Sequence, residues 1–196
     1  GDPQLLDNLR SCCCQNYPTF QIIFGFRFED DPAIPIVRQI MEEFPGHDLK
    51  LIVDPTVIGT NLKVSSLSNM ERHAKYELLI IADSDMRVPE DYLSRVVSPF
   101  TDTEVGAVTC IYRGASAGNV CSRLAAMFVN DWFLPSVLVS SALNELRYCF
   151  GATIAVRRDL FQRAGGFSEL ADFLADDYVL GQRVFELGYK IRLAPC

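Results

Sequence analysis

The sequence LLIIADSD, at residues 78 to 85, decides the fold prediction for this chain. Four large apolar residues followed by an alanine are typical of a short strand that is buried on both faces of a sheet. Asp83 and Asp85 come directly after it, at the carboxyl end of the strand, where open α/β sheets collect their ligands. If the extended geometry continues, alternation places both carboxylates on one side of the chain and Ser84 on the other. The stretch therefore predicts a buried strand that ends in a pair of carboxylates.

The carboxylate pair predicts a site for a divalent cation. Two negative charges one residue apart repel each other, and a hard cation between them removes the repulsion. Mg²⁺ and Mn²⁺ use oxygen ligands and commonly bridge protein carboxylates to substrate phosphates. The alternative is a plain turn after a strand, because Asp and Ser are common turn formers. The rest of the chain favours the first interpretation, in which Asp83 and Asp85 hold Mg²⁺ or Mn²⁺.

The apolar patterns on both sides of this stretch predict an alternation of helices and strands. Further strands are expected at residues 20–28, 49–53, 105–112, 148–156 and 189–193. Helices are expected at residues 3–14, with Asp2 as the N-cap, and at 34–44, 65–75, 89–98, 120–146, 158–164 and 176–187. Such an alternation is typical of an α/β fold with a mostly parallel sheet and helices on both faces. We expect residues 1–196 to form a single domain.

Composition argues against two classes of protein. The net charge of −7 is unlike that of a general nucleic-acid binder, which needs a basic face. No apolar run approaches the ~20 residues that a membrane span needs. The nearest candidate, residues 133–143, is too short and contains Pro135. The sequence itself therefore predicts neither a nucleic-acid partner nor a membrane span.

Pairs of acidic residues stand at the ends of three predicted elements. One pair, at positions 30 and 31, follows the first strand, and the pair at 83 and 85 follows the central strand. The third pair, at 176 and 177, opens the last long helix. Each pair alone has a structural explanation, as a turn, a turn and an N-cap respectively. Together they predict a site for a nucleoside diphosphate on a doubly wound sheet.

The chemistry that fits these residues is glycosyl transfer from a nucleotide sugar. The leaving diphosphate needs a metal ion, which Asp83 and Asp85 can hold. The acceptor hydroxyl needs a carboxylate that takes its proton, as Asp177 can. The phosphates also need cationic or amide donors, and Lys63, at the end of a glycine-containing loop, is a candidate.

With these residues in place, the chain resembles the ceramide glucosyltransferase family, which is glycosyltransferase family 21 within the processive-type GT-A superfamily. The resemblance covers nearly the whole chain, through the segments DPQLLDNL, DDPAIPIV, VIGTNLKVSSL, IADSDMRVPEDYL, FGATIAVRRDLFQRAGGF and LADDYVLGQRVFELGYKIRLA. The family's three aspartate motifs are D-D-P, D-S-x and A-[DE]-D-Y, and their functional acids match Asp31, Asp83 and Asp177 here. This ordered set is far more specific than a lone D-x-D.

The resemblance implies a UDP-sugar donor, a lipid acceptor and inversion at the anomeric carbon. It assigns Asp31 to the uridine part of the donor and Asp177 to the general base, and we add Lys63, Gly151 and Asp176 as substrate-binding residues. The segments VTCIYRG, SRLAAMFVNDWFLPSVLVSSAL and CFGATIAVRR are most similar to the bacterial hopanoid-biosynthesis branch, whose members resemble enzymes that add N-acetylglucosamine to a hopanoid polyol. The expected product is a glycolipid, with glucose or N-acetylglucosamine on a ceramide or a hopanoid.

Some family features are expected outside this sequence. A Q-x-x-R-W motif should follow the last strand, beyond Cys196, and a first strand that ends in K-P-L-x-G should precede Gly1. Family members also carry flanking membrane helices. We therefore expect a GT-A catalytic domain that is truncated at both ends, associates with the membrane through segments missing from this chain and faces the cytoplasm.

Three alternatives stay open at this point. A metal-dependent nucleotidyltransferase can share the sheet and the paired carboxylates, although it ordinarily shows a Gly-rich basic phosphate loop near its start. A nucleotide-sugar binding module without activity is the non-enzymatic alternative. The apolar residues 120–146 predict either a buried helix pair or an interfacial surface for a lipid acceptor, with Trp132 and Phe133 as anchors.

Overall fold

The computed structural model describes residues 4–195, and within them the chain forms eight α-helices and six β-strands. The N-cap predicted at Asp2 lies outside the described residues. In chain order the elements are α1 (Leu5–Cys13), β1 (Gln21–Phe26), α2 (Ile34–Glu43), β2 (Asp48–Val53), α3 (Leu62–Glu71), β3 (Leu78–Ala82), α4 (Tyr92–Val97), β4 (Val105–Ile111), α5 (Val120–Met127), α6 (Leu134–Leu143), β5 (Thr153–Arg157), α7 (Arg158–Arg163), α8 (Asp176–Glu186) and β6 (Lys190–Pro195).

The six strands form two sheets. β1 and β2 pair in parallel, and the larger sheet has the order β3-β5-β4-β6. β4 and β6 are parallel, whereas β5 is antiparallel to both β3 and β4. The sheets are therefore more mixed than the predicted mostly parallel sheet. β5 runs against its neighbours because the long segment between β4 and β5 leaves and re-enters the sheet at the same edge.

β3 is less buried than its apolar sequence predicts. Ile81 is buried, but the other residues of the strand are partly or fully exposed. The reason is that the edge of β3 opposite β5 faces β1 across an apolar cavity of about 770 Å³, lined by side chains of both strands. Within residues 4–195 no backbone pairing joins β1 to β3, which is why the strands form two sheets.

Both faces of the larger sheet are covered, as in an α/β fold. Along β5, Ile154 and Val156 point into one hydrophobic core, and Ala155 points into the other. The larger core packs against α7 and α8, and the smaller one packs against α4. A third core joins β1 to α1 and α2. Since β3 and β4 both run antiparallel to β5, their carboxyl ends and the start of β5 lie at one edge of the sheet.

Two element boundaries differ from the sequence prediction for reasons that side chains explain. β5 begins at Thr153 instead of residue 148, because the hydroxyl of Thr109 bonds both the N–H and the carbonyl oxygen of Phe150, at 2.8 and 3.1 Å. α3 begins at Leu62 instead of residue 65, because Asn61 caps it by accepting the N–H of Val64 at 3.2 Å.

Residues 120–143 form one continuous helix, made of α5, a π-helical turn at Phe128–Phe133 and α6. This helix is long and apolar enough to cross a membrane, and little of it is buried. The prediction that no apolar segment reaches the length of a span is therefore wrong. Pro135 does not interrupt the helix, because it lies in the first turn of α6 directly after the π-helical turn, where the regular hydrogen-bond pattern is already relaxed.

Candidate active site

The carboxylate pair lies at the carboxyl end of β3, as the sequence predicts. The N–H of Asp83 donates to the carbonyl oxygen of Ala152 at 3.2 Å, which fixes the end of β3 beside the start of β5. Lys63 Nζ donates to Asp83 Oδ1 at 2.8 Å. Asp85 is exposed and lies in the turn after β3, which the N–H of Met86 closes by donating to the carbonyl oxygen of Asp83 at 3.4 Å. The structure thus joins two of the predicted site residues, Lys63 and Asp83, in an ion pair.

A contact between two loops brings Lys63 to the start of α8. Gly59 lies so close to the loop after α7 that an added Cβ would stand 2.5 Å from the carbonyl oxygen of Ala171. Two residues on, the side chain of Asn61 donates to the carbonyl oxygen of Phe173 at 2.7 Å. Because Asn61 also caps α3, the first turn of that helix, including Lys63, faces the acidic residues that open α8.

The pKa of Lys63 depends on the carboxylates that surround it. Partial burial lowers the pKa of Lys63, but the hydrogen bond and charge of Asp83 outweigh that effect, and the charges of Asp176 and Asp177 add to it. The pKa of Lys63 is therefore raised. Three carboxylates, one directly after β3 and two at the start of α8, thus lie within electrostatic reach of one ammonium group.

Asp176 and Asp177 occupy different environments although they are adjacent. Burial raises the pKa of Asp176, with the charge of Asp177 adding to the shift and the charge of Lys63 opposing it. Asn61 Nδ2 donates to Asp176 Oδ1 at 3.3 Å. Asp177 Oδ1 accepts the N–H of Tyr178 at 2.8 Å, which fixes the orientation of its carboxylate. Asp176 is therefore held at the contact between the two loops, and Asp177 is held at the start of α8.

Gly151 lies directly against the carboxylate of Asp177. A Cβ added at Gly151 would stand 3.0 Å from Asp177 Oδ2, so a larger residue would press on the oxygen that Tyr178 does not hold. The absence of a side chain at this position leaves room over that oxygen. This contact is the structural reason for a glycine in the FGATIAVRR segment.

Tyr112, which the sequence prediction did not include, joins the same site. It follows β4 directly, and its ring lies 5.5 Å from that of Phe133 in the long apolar helix. Its pKa is raised, first by partial burial and then by the charges of Asp83, Asp85 and Asp177. The rule that selected Asp83, a polar side chain at the carboxyl end of a strand, also selects Tyr112.

The hydrogen bonds of Asp31 join it to residues two and three positions away along the chain. Its Oδ1 accepts the N–H of Ala33 at 2.9 Å, and its carbonyl oxygen accepts the N–H of Ile34 at 3.1 Å. Asp31 therefore forms a turn that starts α2, which is the structural alternative considered for this position. Its place beyond the end of β1 keeps it on the loops that follow the strands.

The donor chemistry of the site fits a divalent cation that takes most of its ligands from a substrate. Within residues 4–195 no group of three or more His, Cys, Asp or Glu side chains could hold a metal ion. Asp83 and Asp85 offer carboxylate oxygens from one turn, and Mg²⁺ is commonly held by one or two carboxylates together with phosphates and water. The pair therefore suits Mg²⁺ or Mn²⁺ that arrives with a diphosphate.

Comparison with known proteins gives a family match over the full length. A profile of the family described as Glycosyl transferase family 21 matches residues 1–196. Ceramide glucosyltransferase 1 of Caenorhabditis elegans is 24% identical over 194 residues, which are 98% of this chain and 41% of that protein. The chain thus spans about two fifths of the length of this relative.

Solved structures confirm the predicted GT-A fold. The mannosyltransferase PcManGT from Pyrobaculum calidifontis, in complex with GDP-Man and Mn²⁺, aligns with a TM-score of 0.78 and 23% identity, over 100% of this chain and 53% of that one. GalNAc-T7, with UDP, GalNAc and Mn²⁺, aligns with a TM-score of 0.60 and 12% identity, over 89% of this chain and 36% of that one. Both of those structures contain Mn²⁺.

Asp176→Asn tests the electrostatics of this edge through the pH dependence of stability. Because burial raises the pKa of Asp176 in the folded chain, its ionised form lowers the free energy of unfolding. This loss of stability is absent below the ordinary pKa of 3.8 and is complete once the pH lies above the raised pKa. We expect the variant to unfold at a higher temperature than the wild type at pH 7, and the difference to disappear below about pH 3. Thermal unfolding in the presence of a chelator measures the difference at pH 7 and its disappearance in acid.

Asp172→Asn is the matched control, with the opposite sign. Thr60 donates its N–H and its hydroxyl to Asp172 Oδ1, at 2.8 and 3.0 Å, and these bonds lower the pKa of Asp172. This stabilisation is present above the unfolded pKa and is lost as the pH falls through the folded one. The control should therefore lose stability at pH 7 and regain parity in acid. An Asp176→Asn variant that behaves like the control would contradict this description.

Proposed function

This chain belongs to glycosyl transferase family 21, and we propose that it forms the donor-binding and catalytic part of an enzyme that transfers a hexose from a UDP-sugar to a lipid hydroxyl. The observation that carries the proposal is the arrangement of Asp83, Asp176 and Asp177 around Lys63. Carboxylates that outnumber the nearby cations are suited to a diphosphate that arrives with a divalent metal. Family membership favours sugar transfer over nucleotidyl transfer.

We assign the diphosphate of the donor to the edge formed by Asp83, Asp85 and Lys63. When bound, Mg²⁺ or Mn²⁺ neutralises the charge that develops on the leaving diphosphate. Lys63 adds a positive charge beside the same oxygens, and it can turn from Asp83 to a phosphate because both side chains are partly exposed. Asp31, beyond β1, is assigned to the uridine part of the donor on its match to the first aspartate motif.

We assign the general base to Asp177. Tyr178 holds Oδ1, so Oδ2, which faces Gly151, is the oxygen that takes a proton. The acceptor hydroxyl gives its proton to this oxygen while its own oxygen bonds to the anomeric carbon of the sugar. The bond from that carbon to the diphosphate breaks at the same time, which inverts the configuration. Asp176, held by Asn61, supports Lys63 and the donor.

The acceptor is proposed to be a lipid, on the membrane side of the same edge. The name of the Caenorhabditis elegans relative supports glucose and ceramide, and the resemblance of the apolar segments motivates N-acetylglucosamine and a hopanoid. Tyr148 stacks on Tyr178 at 5.3 Å, beside Asp177, and offers an aromatic surface to the incoming molecule. We propose that the site lies on the cytoplasmic face of a membrane.

Asp83→Ala is expected to abolish the metal dependence of UDP binding. In the wild type, UDP should bind more tightly with Mn²⁺ than with a chelator, because Asp83 helps to hold the cation. Titration calorimetry on the natural full-length polypeptide measures the affinity under both conditions. Lys63→Met is the matched control: it removes the partner of Asp83 but should keep a metal-dependent difference. Equal UDP affinity with and without chelator in the wild type would rule out the metal assignment.

Asp177→Asn is expected to lower the rate of sugar transfer by about 10²–10⁴-fold, the usual contribution of a general base. Binding of UDP-sugar should change little, because the lost interaction forms at the acceptor hydroxyl in the transition state. The measurement is the single-turnover rate with a radiolabelled UDP-sugar and a lipid acceptor, beside donor affinity and thermal stability.

Asp176→Asn is the matched variant for this experiment. If Asp177 only supports the start of α8, the two variants should show similar, modest rate losses, and the catalytic assignment would fail. Donor binding by the wild-type polypeptide without any transfer would instead support the binding-module alternative and overturn the proposed function.

A further inference from the structure

We propose that the helix at residues 120–143 lies in the surface of an anionic membrane, with its outer face among the lipid headgroups and upper acyl chains, and holds the active site at that surface. The inference deepens the proposed function, on which it rests for the lipid nature of the acceptor. It assigns membrane contact to this chain itself, in addition to any segment outside it.

One face of the helix is fixed to the domain. Ala126 approaches Gly114 so closely that a Cβ on the glycine would stand 2.7 Å from the Cα of Ala126. Asn130 exchanges two hydrogen bonds with the backbone of Gly114, at 2.9 and 3.0 Å. Phe133 packs its ring against that of Phe150, and Val137 is buried. These positions recur every three or four residues and so form one stripe along the helix.

The attached stripe decides between spanning and lying on a membrane. A spanning helix must be surrounded by lipid or by other spanning helices over about 30 Å. Here the contacts from Ala126 to Val137 hold the middle of the helix along the side of the folded domain, so lipid cannot surround it. The geometry therefore favours a helix that lies parallel to the surface.

The opposite face of the helix is exposed and apolar. Its exposed apolar side chains are Val120, Leu124, Met127, Phe128, Trp132, Leu138, Val139 and Leu143, which are 46–76% exposed. A surface helix of a water-facing domain normally presents polar residues there. Trp and Phe are also the side chains that favour the boundary between water and hydrocarbon. A π-helix turns through a smaller angle per residue than an α-helix. The π-helical turn in the middle therefore keeps residues four apart on this outer face.

The local charge selects a lipid surface as the occupant. The whole chain carries −7, but residues 113–147 contain three arginines, Arg113, Arg123 and Arg147, against Asp131 and Glu145, which is a net +1. A positive excess in the segment that carries the exposed apolar face suits anionic headgroups, and interfacial helices combine these two features. A second copy of this chain would bring the same positive excess to the interface and gain nothing from it.

The helix is also continuous with the site. Phe133, on the attached stripe, touches Tyr112, whose phenol lies within electrostatic reach of Asp177. A lipid hydroxyl that rises from the bilayer beside the helix therefore meets the general base without leaving the membrane surface. In this arrangement the helix orients the domain, and Asp177 faces the acceptor.

Trp132 makes this proposal directly measurable, because it is the one tryptophan in the 196 residues. The 196-residue chain is mixed with vesicles of phosphatidylcholine, with or without phosphatidylglycerol, and with brominated acyl chains. We expect the Trp132 emission to shift to shorter wavelength and to be quenched by bromine when phosphatidylglycerol is present. The measurement needs no sugar donor, metal or transfer, so it can succeed while the proposed function fails, and the reverse.

Two kinds of variant test the two features of the helix. Leu124→Ser with Phe128→Ser should weaken vesicle affinity at least about tenfold, since two large apolar side chains no longer enter the lipid. Arg123→Glu replaces one exposed charged residue by another and should leave folding intact. It should weaken vesicle affinity about fivefold or more in low salt. Leu187→Ser, at the far end of α8, is the matched control and should bind like the wild type.

Three results would overturn the proposal. The first is a Trp132 emission that vesicles do not change, and the second is an equal loss of affinity in the Leu187→Ser control. The third is burial of Trp132 without lipid, together with a dimer in sedimentation that the Leu124 and Phe128 exchanges dissociate. That third result would assign the outer face to a second copy of the chain.

Discussion

Repulsion among carboxylates that the fold holds at one edge of the sheet is the constraint on which the site depends. Asp83 from β3 and two acids from the start of α8 share one nearby ammonium group, that of Lys63. In the ion pair the side chains of Lys63 and Asp83 are 43% and 38% exposed, so the pair contributes at most ~1 kcal/mol. The edge therefore keeps an excess of negative charge. In the proposed function a divalent cation offsets that charge and links the carboxylates to the diphosphate.

The reversal of β5 is what completes the site around those charges. The segment between β4 and β5 leaves and re-enters the sheet at the carboxyl edge, so everything it carries gathers there. It begins with Tyr112 and carries Gly151 near its end, and both lie within reach of Asp177. Between them it forms the exposed apolar helix. The same chain reversal therefore joins the acidic site, the glycine beside the proposed general base Asp177, and the surface that we propose contacts lipid.

The sequence predicted the parts of this arrangement that depend on local pattern, and missed those that depend on tertiary contacts. The run before Asp83 identified β3, because a short apolar stretch that ends in acids is a strong local signal. The late start of β5 could not be predicted, because it depends on the hydroxyl of Thr109, about 40 residues away in sequence. The separation of β1 from β3 also has no local signature.

The clearest measurement of the central claim is Mn²⁺ electron paramagnetic resonance on the natural full-length polypeptide, titrated with and without UDP. The account predicts weak Mn²⁺ binding alone, since Asp83 and Asp85 supply only part of the coordination, and much tighter binding when UDP is present. Asp83→Ala should remove that UDP-dependent gain. Mn²⁺ binding that does not change with UDP, or a gain that survives the loss of Asp83, would contradict the claim that this acidic edge holds the cation and the diphosphate together.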